Sequence, residues 1–151
     1  MQFSSRFAIA VHVLLAIHEY DGVTTTSSKF LAGSVNVNPV IVRNTLLQLK
    51  AAGIVSVRNG KGGASIIKDL KDITMLDVFQ AVEKERALFR YHDNPNPDCP
   101  VGRHVHEILN DTLCGIQDSM YAQMRSVTLQ DLADDLRRKC GQEGKPETTQ
   151  R

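Results

Sequence analysis

The stretch VRNGKGGASI, Val57 to Ile66, constrains the fold of this chain more than any other segment. It places three glycines and two cations between runs rich in β-branched residues: Ile54, Val55 and Val57 on one side, Ile66 and Ile67 on the other. A Walker-type phosphate loop requires Gly, four residues, then Gly-Lys-Ser/Thr ahead of a helix. Here Gly62 follows Lys61, and Val55 stands where the first glycine belongs. Asn59-Gly60 is a hairpin dipeptide able to take positive φ, so the segment predicts strand, glycine-rich tip and strand.

The residues before the hairpin give it a context. Ser4 to Glu19 is apolar nearly all round (Phe7, Ile9, Val11, Leu14, Leu15, Ile17), which predicts a buried first helix ending near Asp21-Gly22. The hydroxyl-rich run Thr24 to Ser28 reads as a helix start, followed by a short helix over about Lys29 to Gly33 and a turn at Ser34 to Val37. Asn38-Pro39 supplies an N-cap and a first-turn proline for a third helix that Gly53 closes. On that helix Val42, Leu46 and Leu49 share one face, while Val40, Arg43, Asn44 and Leu47 point away from it.

Charge is divided unevenly along the chain. Between Gly22 and Lys68 there is no Asp or Glu, whereas Lys29, Arg43, Lys50, Arg58, Lys61 and Lys68 carry positive charge. From Asp69 to Leu136 thirteen acids face six bases, so the net charge of +1 conceals a basic half and an acidic half. Two short helices and a turn, then a strand, a glycine-rich tip and a second strand, make a winged helix-turn-helix. In that arrangement the second helix of the pair enters the major groove and the hairpin lies along the backbone. Arg58 and Lys61 then meet DNA phosphate, and the glycines allow close approach of the wing. Two alternatives stand beside this reading: the opposed charges complement each other within the fold, or the winged helix is a protein-interaction module.

Four segments carry a family likeness: Phe3-Ser4-Ser5-Arg6-Phe7-Ala8, Val37 to Arg43, Leu49 to Val55, and Gly60-x-Gly62-Gly63-Ala64. In order and spacing they resemble the Rrf-two (Rrf2) family of bacterial winged helix-turn-helix transcription regulators, over nearly the whole chain to about Leu136. The resemblance implies a homodimeric repressor bound to double-stranded operator DNA. It carries DNA contact onto Val40, Arg43, Asn44 and Lys50 of the recognition helix and onto Arg58 and Lys61 of the wing. Arg6 is added as a backbone contact and Asn38 as a residue at the DNA-facing helix start. Arg43 is the candidate for bidentate base recognition.

Iron-sulfur members of that family hold three closely spaced cysteines before the long helix. Here Cys99 stands alone in that segment, Cys114 lies fifteen residues on and Cys140 is near the C-terminus. A cluster needs several thiolates at one point, so the expectation is no cofactor and no metal site, as in a cluster-free branch. His104 and His106, two apart on a helix, point to different faces and make a poor ligand pair.

Asp98-Cys99-Pro100 places Cys99 where a helix begins. Two readings stay open. The helix dipole lowers the thiol pKa and makes Cys99 a redox sensor, or Cys99 is a small packed residue and Asp98 opposes thiolate formation. In the second case the repressor answers to a small ligand between the long helix and the DNA-binding unit, near Tyr91 and His92.

The remaining expectations complete a mainly α fold with one small β-hairpin. Thr74 to Glu83 is a linking helix capped by Thr74 with Asp77 three residues on, and Leu76, Val78, Phe79 and Val82 face inward. Pro100 to Arg125 is a long helix whose stripe of Val101, Val105, Ile108, Thr112, Ile116, Met120 and Met124 suits dimerisation, with packing on helix one as the alternative. Thr128 to Arg138 is a final amphipathic helix. The expected organisation is residues 1–85 as the DNA-binding domain, 86–140 as loop, dimerisation helix and C-terminal helix, and 141–151 as a disordered tail. The odd cysteine count and the short, His12-interrupted apolar run near the start predict neither disulfide scaffold nor membrane span, hence a cytoplasmic protein. No Ser/His/Asp or paired-carboxylate arrangement suggests an enzyme.

Overall fold

The computed structural model describes residues 4–60, 62–84 and 87–143. Six α-helices and a two-stranded antiparallel sheet follow in the order α1 (Arg6–Glu19), α2 (Ser28–Val35), α3 (Pro39–Ala51), β1 (Val55–Arg58), β2 (Gly63–Ile66), α4 (Met75–Val82), α5 (Pro100–Ser126) and α6 (Leu129–Glu143). A single 3-10 turn, Leu70–Asp72, precedes α4. The fold is the expected one, mainly helical with one hairpin. Three details differ. Helix α2 runs two residues further than Gly33, the 3-10 turn had no sequence signal, and α6 continues through Gly141, so the first three residues of the expected tail are helical. Residues 144–151, Phe3 of the first family segment and the expected boundary at Glu85 and Arg86 lie outside the described residues.

The core gathers on α1. Ala10, Val13, Leu14, Ala16 and Ile17 are buried there against Leu31 of α2, Val42, Leu46 and Leu49 of α3, and Val78 and Val82 of α4. Burying each of the valines, leucines and the isoleucine among them stabilises the fold by about 1.5–3 kcal/mol. Local signals set the helix ends. Ser27 Oγ accepts from Phe30 N at 3.1 Å at the start of α2, and Asn36, at φ 60°, closes that helix in the left-handed region. Asn38 Oδ1 accepts from Val40 N at 2.9 Å, and Pro39 opens α3. The linking helix buries the four side chains expected to face inward, Leu76, Val78, Phe79 and Val82.

The hairpin pairs Val55 with Ile66 and Arg58 with Gly63. It is fastened to the helices from outside its own ladder: Ala64 N donates to Thr26 O at 3.0 Å, and the buried Thr26 hydroxyl donates back to Ala64 O. Gly63 has φ +66°, and a Cβ there would stand 3.0 Å from the Thr26 backbone. Only glycine allows this close approach at that backbone angle.

Two Thr-x-x-Asp capping boxes meet where the N-terminal unit joins the C-terminal helices. Thr74 N donates to Asp77 Oδ2 at 2.8 Å and Asp77 N to Thr74 Oγ1 at 3.1 Å. Thr128 and Asp131 repeat the pattern at the start of α6, at 2.8 and 3.2 Å. The Thr128 backbone N–H, then its hydroxyl, holds the Asp131 carboxyl below the ordinary range. The two boxes lie side by side through Met75 N to Val127 O at 2.9 Å and Leu129 N to Ile73 O at 2.8 Å.

Candidate nucleic-acid interface

Helix α3 divides cleanly into a core face and a solvent face. Val42, Thr45, Leu46 and Leu49 are buried, and Val40, Arg43, Asn44, Leu47 and Lys50 are exposed. An α-helix turns about 100° per residue. Val40, Asn44 and Leu47 therefore lie in one arc opposite the core, and Arg43 and Lys50 sit together on one flank of it. Val40 is 52% exposed and Leu47 62% exposed, so the centre of this face is apolar apart from Asn44.

Arg43 is tied sideways. Its Nε donates to Ser28 Oγ at 3.4 Å, which carries the guanidinium toward the N-terminal end of α2, next to exposed Lys29. Asn38 is exposed, but its carboxamide oxygen is engaged as the cap of α3. Arg6 is exposed at the first position of α1. Arg58 is exposed at the tip end of β1, where a Cβ on Gly62 would lie 2.4 Å from its own Cβ, so the glycine makes room for the arginine stem. Lys61 lies outside the described residues. Cations thus line the N-terminal unit from α2 across α3 to the wing, in a segment without a single carboxylate. Such a face suits a polyanion.

The segment leading into α5 has its own geometry. Cys99 is the N-cap of α5, exposed and followed by Pro100. Its sulfur makes no capping hydrogen bond, yet the backbone N–H groups of Gly102 and then Val101 favour the thiolate and hold the thiol below its ordinary value. The loop before it is strapped along α5. Leu88 N donates to Gln117 Oε1 at 3.2 Å, the Tyr91 hydroxyl to Asn110 Oδ1 at 3.2 Å, His106 Nε2 to His92 O at 2.9 Å, and Arg103 Nε to Pro97 O at 3.1 Å. The His106 ring also packs against Tyr91 and His92, with centroids 5.4 and 5.2 Å apart. These ring contacts lie where the sequence suggested a ligand near Tyr91 and His92. An open apolar groove of about 1200 Å³ lies between α1, the end of α5 and α6, lined by Phe7, Val11, Leu15, Met124, Val127 and Leu132 together with His12 and Cys140. His12 reaches Ser34 Oγ at 3.0 Å, linking the groove to the end of α2. The groove lies between the long helix and the DNA-binding unit, where the sequence suggested a pocket, but Tyr91 and His92 are not among its lining residues. The second capping box has a sequence signal, since Thr128 and Asp131 repeat the Thr74 and Asp77 spacing.

A helix pair with a solvent-facing second helix, a wing fastened beside it and a basic segment without a carboxylate define a winged helix-turn-helix DNA-binding regulator. The chain belongs to the Rrf2 family, described as iron-dependent transcriptional regulators, whose profile matches residues 3–135. YwnA of Bacillus subtilis strain 168, named as a candidate HTH-type transcriptional regulator, is 42% identical over 133 residues, covering 88% of this chain and 98% of that protein. A crystal structure described as a candidate DNA-binding protein is 39% identical and superposes with a TM-score of 0.69 over 85% of this chain and 98% of the other. CymR (YrzC), the global cysteine regulator of B. subtilis, shares the fold at 21% identity and a TM-score of 0.64, covering 89% of this chain and 97% of its own. The protein is thus a DNA-binding transcriptional regulator and not an enzyme.

The family description implies iron, but the thiols do not fit a cluster. Cys99 and Cys114 are separated by fifteen residues of one helix, about 22 Å along its axis, and Cys140 is on α6. No three His, Cys, Asp or Glu side chains gather as a metal site among the described residues. His104 pairs with Glu107 at 3.7 Å while His106 turns to the His92 carbonyl, so the two histidines serve different faces. Among the described residues no helix is long and apolar enough to cross a membrane.

Proposed function

We propose that the protein is a homodimeric repressor that binds a palindromic operator through α3 and the wing. The observation that carries this is the solvent face of α3, flanked by Arg43 and Lys50 and continued by Arg58 in a carboxylate-free segment. Arg6, Arg58 and Lys61 serve phosphate, Asn38 holds the helix start, and Val40, Asn44 and Lys50 meet the groove and its walls. Each phosphate neutralised releases condensed counterions, so affinity falls steeply with salt. Titration of genomic fragments bound by the protein, at several salt concentrations, tests the assignment. Lys61→Ala should weaken all sequences alike and reduce the salt slope by about one unit. Unchanged affinity and slope in Lys61→Ala and Arg58→Ala would remove the wing from the interface. Added to a transcription reaction on a promoter carrying the site, the protein should lower transcript yield; an increase would make it an activator.

Cys99 is the proposed signal receiver, supported by its exposure and by the amides that favour its thiolate. The thiolate attacks one peroxide oxygen, the O–O bond breaks and hydroxide leaves, giving sulfenic acid; condensation with a second thiol forms a disulfide and releases water. Peroxide should release native protein from the operator and a dithiol should restore binding, whereas Cys99→Ser should stay bound. Equal release of that variant would move the signal to the second reading, a small apolar ligand in the groove beside α1, which the His12 link to α2 favours.

A further inference from the structure

We infer that base identity in each half-site is read chiefly through thymine methyl groups and one adenine, by Val40, Leu47 and Asn44, and not by Arg43. The inference rests on the operator-binding reading above. Whatever base edges face the centre of α3 meet two aliphatic side chains and one carboxamide, because Val40, Asn44 and Leu47 form the arc opposite the buried Val42, Leu46 and Leu49. In the major groove only thymine presents a methyl group, and the bidentate partner of an Asn carboxamide is adenine, through N6 and N7. Val40 and Asn44 lie in the N-terminal half of the helix, the part of a recognition helix that reaches deepest, and Leu47 follows one turn on.

Guanine recognition would need an Arg or Lys fork at the centre of that arc. Its cations are on the flank, and the Arg43 Nε bond to Ser28 turns the guanidinium toward the start of α2, the helix that crosses the phosphate backbone in this motif. Arg43 therefore grips phosphate beside Lys29. Half-sites should carry consecutive A·T pairs under the first two turns of α3.

The experiment begins with native protein and a pool of duplexes randomised at every position, selected over several rounds. The strongest duplex is then remade with deoxyuridine for each thymine in turn, which deletes one methyl and leaves pairing intact. At the half-site positions under α3, deletion should cost about fourfold in affinity per methyl. Val40→Ala, a change at an exposed position, should erase the thymine-to-uracil difference at one position, and Leu47→Ala at another. Arg43→Ala should weaken every duplex while leaving those differences in place. Indifference to deoxyuridine, G·C pairs at the centre of the half-sites, or selective loss of base preference in Arg43→Ala would overturn the inference while leaving DNA binding intact. A pool that shows no enrichment would overturn it together with the operator reading.

Discussion

At Cys99 one side chain combines a cap position and exposure with two nearby backbone amides that favour its thiolate. The Gly102 and Val101 amides favour the thiolate, so alkylation by iodoacetamide should reach half its limiting rate at a pH below the ordinary thiol value of 9.0. The same protein in urea, where α5 is unfolded, should return to that value. Mass spectrometry of the Cys99 peptide across pH gives both curves, and coincident midpoints would leave the thiol unactivated. Its place at the start of α5 was readable from Pro100 and the apolar period that follows. The amide donors were not, because they depend on the loop's path into the helix, which Gly102 permits by packing where a Cβ would stand 2.2 Å from Asn96 O. For the same reason the sequence marked Arg43 as exposed but could not show its bond to Ser28, fifteen residues away. Helical period reveals which face a residue takes; the direction of a long side chain on that face is decided by neighbours from another element.

Among the elements, those with strong local chemistry followed the sequence closely. Asn38-Pro39 and Gly53 bracket α3, Thr74 and Asp77 cap α4, and the glycine-rich tip joins two strands. What the sequence concealed is how elements are fastened together: Thr26 to β2, and the first capping box to the second. These contacts join distant segments largely through backbone groups, with the Thr26 hydroxyl as a side-chain partner, so no side-chain pattern announces them. The Thr74 box opens α4 and also abuts Thr128 across an isolated antiparallel bridge. Thr74→Ala removes the hydroxyl that accepts from Asp77 N and should cost about 1 kcal/mol, within the usual range for an N-cap. Thr74→Ser keeps the oxygen and should recover most of it. Urea unfolding followed by circular dichroism measures both, and a Thr74→Ala midpoint equal to that of the native protein would show that the cap contributes nothing to stability.

On the scale of the whole molecule, α5 is the element that a single chain leaves unexplained. It runs for 27 residues, about 40 Å, without one fully buried side chain, and Val101, Ile108 and Ile116 remain 72%, 64% and 50% exposed along one stripe. Residues seven and eight apart fall on the same helix face, so the stripe can be covered at once by a matching helix. A two-fold dimer built on α5 would present two α3 helices to one duplex, and half-sites one turn of DNA apart require the readers to be about 34 Å apart. Joining two half-site contacts raises affinity by about 10²–10⁴ over one contact, without any new interaction with DNA. Ile108→Asp places a carboxylate in the middle of the stripe, far from the core on α1, so the fold should survive and the dimer should not. Sedimentation should then report a species near the 16.7 kDa chain mass, against twice that value expected for the native protein. Affinity for a two-half-site operator should drop by about 10²–10⁴, toward that of the native protein for a single half-site. A variant that remains dimeric and binds as tightly would show that α5 is covered along another face and that the spacing of the readers is set elsewhere.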